Sequence, residues 1–246
     1  MKRTLLLLFV VVFTQCLIAQ TADDIVAKAI AARGGLDRIK GVQTERFTGR
    51  ISFGPGQEGT LIATWKRPGK FRQELVLGGN SIVRATDGAT GWTLSSTSGA
   101  RAEALPPDQM RGIAEQSDFD KPLVDFKAKG NQVELVGKEK LDGRDAYKLK
   151  VTLKDGQVRY EWIDAETYLE SRWQGKVSVG GGNIEFATTF SDYRTVDGLK
   201  FAFLLNTETV GTDNRQKITL EKVEVNAPVD DAAFRMPASP PASSAK

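Results

Sequence analysis

The sequence predicts a mainly β protein: a single, highly curved antiparallel sheet of about eleven strands, with a helix at the N-terminus and a short helical insert. Three observations lead there. Apolar residues alternate with polar ones in short runs bounded by turn pairs along most of the 246 residues. Helical spacing occurs at only two places. Large aromatics are spread over most of the strand patterns: Phe47, Phe53, Trp65, Phe71, Trp92, Tyr160, Trp162, Trp173, Phe186, Phe190, Phe201 and Phe203. That spread is expected if one concave face is apolar throughout. A closed sandwich core would produce the same pattern, so periodicity alone leaves core and cavity both open.

The chain begins Met1-Lys2-Arg3-Thr4, followed by an apolar run from Leu5 to Ala19 and then Gln20-Thr21-Ala22-Asp23-Asp24. This reads as a cleaved secretory signal over residues 1–20, the run being short of the roughly 20 apolar residues a spanning helix needs. Cys16, the only cysteine, follows Gln15, which is bulky where a small residue precedes a lipidated cysteine, so Cys16 is expected inside the signal's apolar core. Removing Lys2 and Arg3 lowers the formal charge from +3 to +1, which argues against a nucleic-acid partner. The exported chain then has no cysteine, and its stability must come from core and sheet. One domain is expected over 21–236, with a Pro-Ala-Ser tail over 237–246 that has nothing to bury.

Asp23 can cap a helix carrying Ile25, Val26, Ala29 and Ile30 on one side and ending at Gly34-Gly35. A turn over Leu36 to Ile39 leads into a long strand, Val42 to Phe53, with Phe47, Ile51 and Phe53 on one face and Thr44, Arg46, Thr48, Arg50 and Ser52 on the other. Gly54-Pro55-Gly56-Gln57-Glu58-Gly59 matches a dinucleotide fingerprint only in its letters. It joins two strands, whereas phosphate binding needs a following helix N-terminus, so it is a hairpin loop. Thr60 to Trp65, Phe71 to Leu77 and Ser81 to Ala85 continue a meander through the turns Pro68-Gly69 and Asp87-Gly88.

Leu105-Pro106-Pro107-Asp108 opens a helical segment with Met110, Ile113 and Ala114 on one side. Asp118 to Pro122 restarts the pattern, with Leu123 and Phe126 as a second apolar face. This insert, about 105–127, is either a cap on one end of the sheet or a cover over a cavity. Strands return over Val133 to Val136, Tyr147 to Leu153, Val158 to Trp162, Leu169 to Val177, Ile184 to Phe190, Leu199 to Leu205 and Arg215 to Val225. The apolar phase slips between Leu220 and Val223, which predicts a bulge.

The absence of histidine removes Ser/His and Cys/His catalysis and histidine metal sites. Asp118, Asp120, Glu161 and Asp164 remain as carboxylates for a glycosidase or calcium site. Asp118-Phe119-Asp120 lacks the further oxygens of a calcium loop, and Glu161 and Asp164 flank a turn, so all four read as solvated or capping charges. Ser243-Ser244-Ala245-Lys246 matches a Ser-x-x-Lys pattern, but in the tail rather than on a helix.

The run Gln57-Glu58-Gly59 … Lys66-Arg67-Pro68, then Phe71, then Asp87-Gly88 leading to Trp92, resembles the periplasmic lipoprotein carrier LolA and its LolA/LolB-like relatives. The resemblance implies a half-open barrel of about eleven strands and makes the insert a movable lid. It implies an apolar cavity lined by Phe47, Trp65, Phe71, Trp92, Met110, Ile113, Leu123, Phe126, Phe186, Phe201 and Phe203, with Arg67 as the arginine that holds the lid closed. It also implies a monomeric, non-enzymatic, cofactor-free periplasmic carrier of lipoprotein acyl chains or other lipid, working between an inner-membrane transporter and an outer-membrane acceptor. A lipid-sensing envelope regulator on the same fold, or a secreted enzyme acting through carboxylates, is the alternative. Gly91 and the Pro-Ala-Ser tail depart from the carrier pattern, which bears on lipoprotein sorting more than on lipid binding.

Overall fold

The computed structural model describes residues 20–99, 101–179 and 182–238. The expected signal peptide up to residue 19, with Cys16, and the tail from residue 239 lie outside them. Thirteen strands form one antiparallel sheet, against about eleven expected: β1 (Thr44–Ser52), β2 (Glu58–Lys66), β3 (Lys70–Leu77), β4 (Asn80–Thr86), β5 (Gly91–Ser95), β6 (Ala102–Ala104), β7 (Gln132–Leu141), β8 (Arg144–Thr152), β9 (Val158–Asp164), β10 (Glu170–Val179), β11 (Gly182–Val196), β12 (Leu199–Thr209) and β13 (Arg215–Val225). The short strands β5 and β6 explain the difference, since three to five residues carry almost no periodic signal.

The spatial order is β6-β5-β4-β3-β2-β1-β13-β12-β11-β10-β9-β8-β7. The first six strands step outward to one free edge and the last seven return from the other, so the sheet curves without closing, as a half-barrel. The chain between β6 and β7 therefore has to run from one edge to the other. It contains α3 (Pro107–Gln116), started by Pro106 and Pro107 as expected. The second expected helix, over 118–126, is instead a run of turns. Lys121 (φ 66°) and Asp125 (φ 51°) adopt the left-handed conformation, which no α-helix continues through.

The bulge expected near Leu220 is present. Thr48 pairs with Lys222 and Gly49 with Leu220, leaving Glu221 as the extra residue. At that point a Cβ on Gly49 would lie 2.4 Å from the Thr219 carbonyl oxygen, so only glycine lets β1 and β13 approach there.

Register sorts the side chains into two faces. Phe47, Ala63 and Gln73 pair across β1–β3, as do Trp65 and Phe71, and with Leu61, Ile51, Val223, Leu220, Phe201 and Phe203 they form the concave face. Two helices fill part of the concavity. In α1 (Ala22–Arg33), Ile25, Val26 and Ala29 are buried against Leu149 and Ile163 of β8 and β9. The helix is capped by Thr21 rather than Asp23: Asp24 N–H donates to Thr21 Oγ1, and Thr21 N–H donates to the Asp24 carboxylate. In α2 (Leu36–Gly41), Ile39 joins Val42, Phe119, Val124, Leu199 and Phe201 in the largest core cluster.

The convex face has its own cover. Residues 226–236 cross β2–β5 as a strap held by Thr44 Oγ1 to the Ala227 carbonyl (2.7 Å), Lys66 and Lys70 to Asp231 (2.7 Å each), and Trp92 Nε1 to the Phe234 carbonyl (2.9 Å). Phe234 is fully buried. Gly49→Ala is expected to destabilise the protein by about 1–3 kcal/mol, because backbone must move to admit the methyl group. Gly137→Ala, where nothing lies within 4 Å, should stay within about 0.5 kcal/mol of wild type. Urea denaturation of the two variants checks the difference.

Candidate functional site

On the concave face an aromatic ladder links rings from β12, β1, β2 and β3, passing over β13. Phe201 meets Phe47 edge-on (5.6 Å between ring centres), Phe47 meets Trp65 (4.9 Å) and Trp65 meets Phe71 (5.0 Å). The ladder is covered. Leu105, Met110 and Ile113 pack on Ala63 and Phe71, leaving Phe71 only 2 % exposed. Trp65 Nε1 donates to the Gln116 carbonyl at the end of α3 (2.8 Å). Beyond α3, Phe119 and Val124 join the Phe201–Phe203 side of the core, while Leu123 and Phe126 pack with α1.

Ten of the eleven residues expected at a cavity thus lie on this face or on the segments covering it, Phe186 by its register on β11 opposite Thr209. Trp92 does not. It pairs with Ala85, which pairs with Arg72 and so with Thr64, all on the convex face, and it packs with Val83, Ala85 and Ala102 under the strap. The odd–even alternation of β5 puts Gly91 inward instead, where a Cβ would strike Met110 (2.5 Å) and Leu105 (3.0 Å). Glycine before Trp92 is what lets α3 lie against the sheet.

Arg67, at the end of β2, ties three elements together. Its guanidinium makes a two-pronged ion pair with Asp120, one arm at 2.8 Å. It also donates to the Ile39 carbonyl within α2 (3.3 Å) and the carbonyl of Val42, which caps that helix (2.7 Å), and it stacks over Phe119 (4.4 Å). The carbonyls it satisfies thus belong to the end of α2, and its contact with the insert is a carboxylate. Asp120, read from sequence as a solvated or capping charge, is instead a clasp residue with a side chain only 14 % exposed. Burial alone would raise its pKa, but the hydrogen bonds and charge of Arg67 outweigh this and hold it below the usual carboxylate range. Asp118 is paired with Lys129 (2.6 Å), and Asp164 caps the turn at Thr167, as expected.

The concave face is not apolar throughout. In β9 the aromatic residues Tyr160 and Trp162 point outward, against Lys148 and Arg172, so the inward residues are Arg159, Glu161 and Ile163. Glu161 is 2 % exposed and bonded by Arg159 (2.8 Å from Nε), which also faces Glu115 of α3 (3.6 Å). Glu161 is therefore an interior carboxylate rather than a solvated one. Beside it the Glu170 carboxyl has its pKa pushed up to about 7, chiefly by burial and then by Glu161, and its Oε1 has no hydrogen-bond partner among the described residues. Sequence reasoning missed Arg159 and Glu170. The signal for Arg159 was present in β9, where charged residues alternate with aromatics, but a single strand does not say which set faces in.

No family model matches the chain, and no curated protein matches it in sequence. Solved structures match its fold. A DUF1329 family protein from Desulfovibrio piger is 16 % identical, with a TM-score of 0.58 over 87 % of this chain and 97 % of its own. A putative outer membrane lipoprotein-sorting protein domain from Vibrio parahaemolyticus is 12 % identical, with a TM-score of 0.57 over 87 % of this chain and 95 % of its own. A LolA superfamily protein from Nitrosomonas europaea is 16 % identical, with a TM-score of 0.54 over 88 % of this chain and 98 % of its own. The fold is LolA-like, a half-barrel whose concave face is covered by helices and by the segment between its two edges.

Replacing Arg67 by leucine should speed amide exchange across residues 106–126 about tenfold or more, since charged hydrogen bonds of about 1.5–3 kcal/mol are lost. Arg67→Lys, which keeps the charge but not the planar fork, should fall between. The Asp120 pKa is lower in the folded protein, so the clasp's contribution is complete above the unfolded carboxylate value near ~3.9 and is lost as pH falls through the folded value. Protection factors in this segment should thus hold steady from neutral pH to about 5 and collapse in stronger acid. Equal protection in wild type and Arg67→Leu would make Arg67 an ordinary strand-end charge.

Proposed function

We propose that this protein is an exported, non-enzymatic carrier that holds acyl chains of lipoproteins or other lipids against its concave aromatic face. One observation carries the reading: a continuous ladder of rings, Phe201 to Phe71, is closed over by the chain crossing between the sheet edges, and that crossing is tied down by charged contacts, the two-pronged Arg67–Asp120 clasp foremost, with Lys40–Asp125, Lys127–Asp23 and Arg159–Glu115 beside it. A core meant to stay shut gains nothing from a charged clasp that apolar packing would replace at equal or better stability. A cover that must open needs one. Burial of an acyl chain yields about 0.8 kcal/mol per CH₂, so affinity is easily reached and release is the demanding step.

In this reading Phe47, Trp65, Phe71, Phe186, Phe201 and Phe203 form the wall, Met110, Ile113, Leu123 and Phe126 form the underside of the cover, and Arg67 is the latch. The protein acts as a monomer in the periplasm after signal cleavage, taking cargo from an inner-membrane transporter and passing it to an outer-membrane acceptor. Among the described residues no helix is long and apolar enough to cross a membrane, which is compatible with such a shuttle.

Solvent extraction of protein purified from its exported form, followed by mass spectrometry, should find stoichiometric acyl lipid. Binding of a fluorescent fatty-acid analogue should quench Trp65 and leave Trp92, on the other face, unchanged; single-tryptophan variants separate the two signals. A chain that yields no lipid and does not quench Trp65 is not a carrier.

A further inference from the structure

The concave side carries two cations without a counter-ion. Arg33 follows Val26, Ala29 and Ile30 around the buried face of α1, so its side chain enters the half-barrel. Lys121 sits in the crossing segment with its ammonium 5.4 Å from the ring of Trp65 on the concave wall. Neither side chain has a hydrogen-bond or ion-pair partner among the described residues, although ion pairs occur on most of the strands. Lys121 keeps accessible surface, and the protein around its amine lowers its pKa.

Other charged groups face the same space. Arg159 is committed to Glu161 and Glu115. Glu45 of β1, opposite Trp65, and Glu170 of β10 lie within electrostatic reach of both Arg33 and Lys121 without touching either, and Tyr193 of β11 donates to the Glu170 carbonyl (2.6 Å). Burial raises both carboxylates, so they can shed their charge by taking a proton. The Lys121 ammonium, whose pKa burial lowers, has the same escape, but the Arg33 guanidinium has none, because it does not deprotonate in proteins. Arg33, on the buried face of α1 and without a partner among the described residues, is thus the group that calls for an anion, with Lys121 as a second donor.

We propose that Arg33 and Lys121 form a binding site for the anionic head, carboxylate or phosphate, of a single-chain amphiphile whose acyl tail lies along the Phe201–Phe71 ladder. Trp65 joins the two parts, with Phe47 and Phe71 packed on its ring and the Lys121 ammonium nearby. The site rests on the carrier reading and narrows it to anionic cargo.

The test measures binding of three oleoyl probes below their micellar concentrations: oleate, oleoyl lysophosphatidic acid and uncharged monoolein. Wild type is compared with Arg33→Gln, Lys121→Gln and the double variant, with Arg33→Lys as the charge-retaining control and circular dichroism to confirm folding. At least one anionic probe should bind wild type about tenfold or more tightly than monoolein, as one desolvated charged hydrogen bond requires. That preference should shrink to under about threefold in the double variant and survive largely in Arg33→Lys, while monoolein affinity is unchanged. Preference for oleate alone identifies a carboxylate site, and preference for the lysophosphatidic acid alone a phosphate site. If all three probes bind wild type equally, or the anionic preference persists in the folded double variant, the head site is overturned and the carrier stands. If none binds wild type, the carrier reading falls with it.

Discussion

A thirteen-stranded antiparallel sheet that curves but does not close has a concave face too large to leave in water, and the rest of this molecule follows from covering it. The meander supplies no second sheet, so the cover has to come from the chain's other segments: α1 over β7–β9, α2 beside β12, and the crossing with α3 over β1–β5. Only the crossing is required by the topology, because it alone joins the two free edges. Curvature itself depends on small local devices, the Glu221 bulge and the bare backbone of Gly49, which let neighbouring strands coil at the centre of the sheet.

Much of this was legible in the sequence because turn chemistry is local. Asp197-Gly198 has both residues at positive φ (48° and 77°), as its letters imply, and Leu199, Phe201 and Phe203 follow on one buried face. The slipped apolar phase at Leu220 to Val223 announced the bulge for the same reason. What was not legible is which side of a strand faces inward. Period two is blind to a swap of faces, and where both faces are covered the aromatic residues no longer mark the inside. Trp92 beneath the strap and Trp162 beneath its cations are both buried on the convex side.

The functional residues divide in the same way. Arg67 and the aromatic wall were reached through a resemblance in sequence and lie together in space. Asp120 and Glu161 were taken for solvated or capping carboxylates: nothing within a few residues of Asp120 reveals its partner, and Arg159, two positions from Glu161, reveals an interior pair only once the inward face of β9 is known. Arg67 is 53 positions from Asp120, and Glu115 and Arg159 meet only because α3 leans across the mouth onto β10. Charge pairing over such separations is a property of the finished fold. The concave wall is accordingly two-natured, with rings on the β1–β3 and β12 side and a charged strip on β9 and β10, a division that under the proposed carrier reading suits amphiphiles rather than plain hydrocarbon.

The strap over residues 226–236 has a mechanical consequence. It clamps β2–β5 from outside by ion pairs to Lys66 and Lys70 and by the Phe234 plug, while α3 rests on the inside of the same strands. That wall behaves as the fixed jaw of a vice. Under the proposed carrier reading, motion that admits a guest would fall to the crossing segment, in which Lys121 and Asp125 take the left-handed conformation on either side of Leu123. Mouth width would be set from one side only, so a bulkier guest displaces the crossing rather than spreading the barrel.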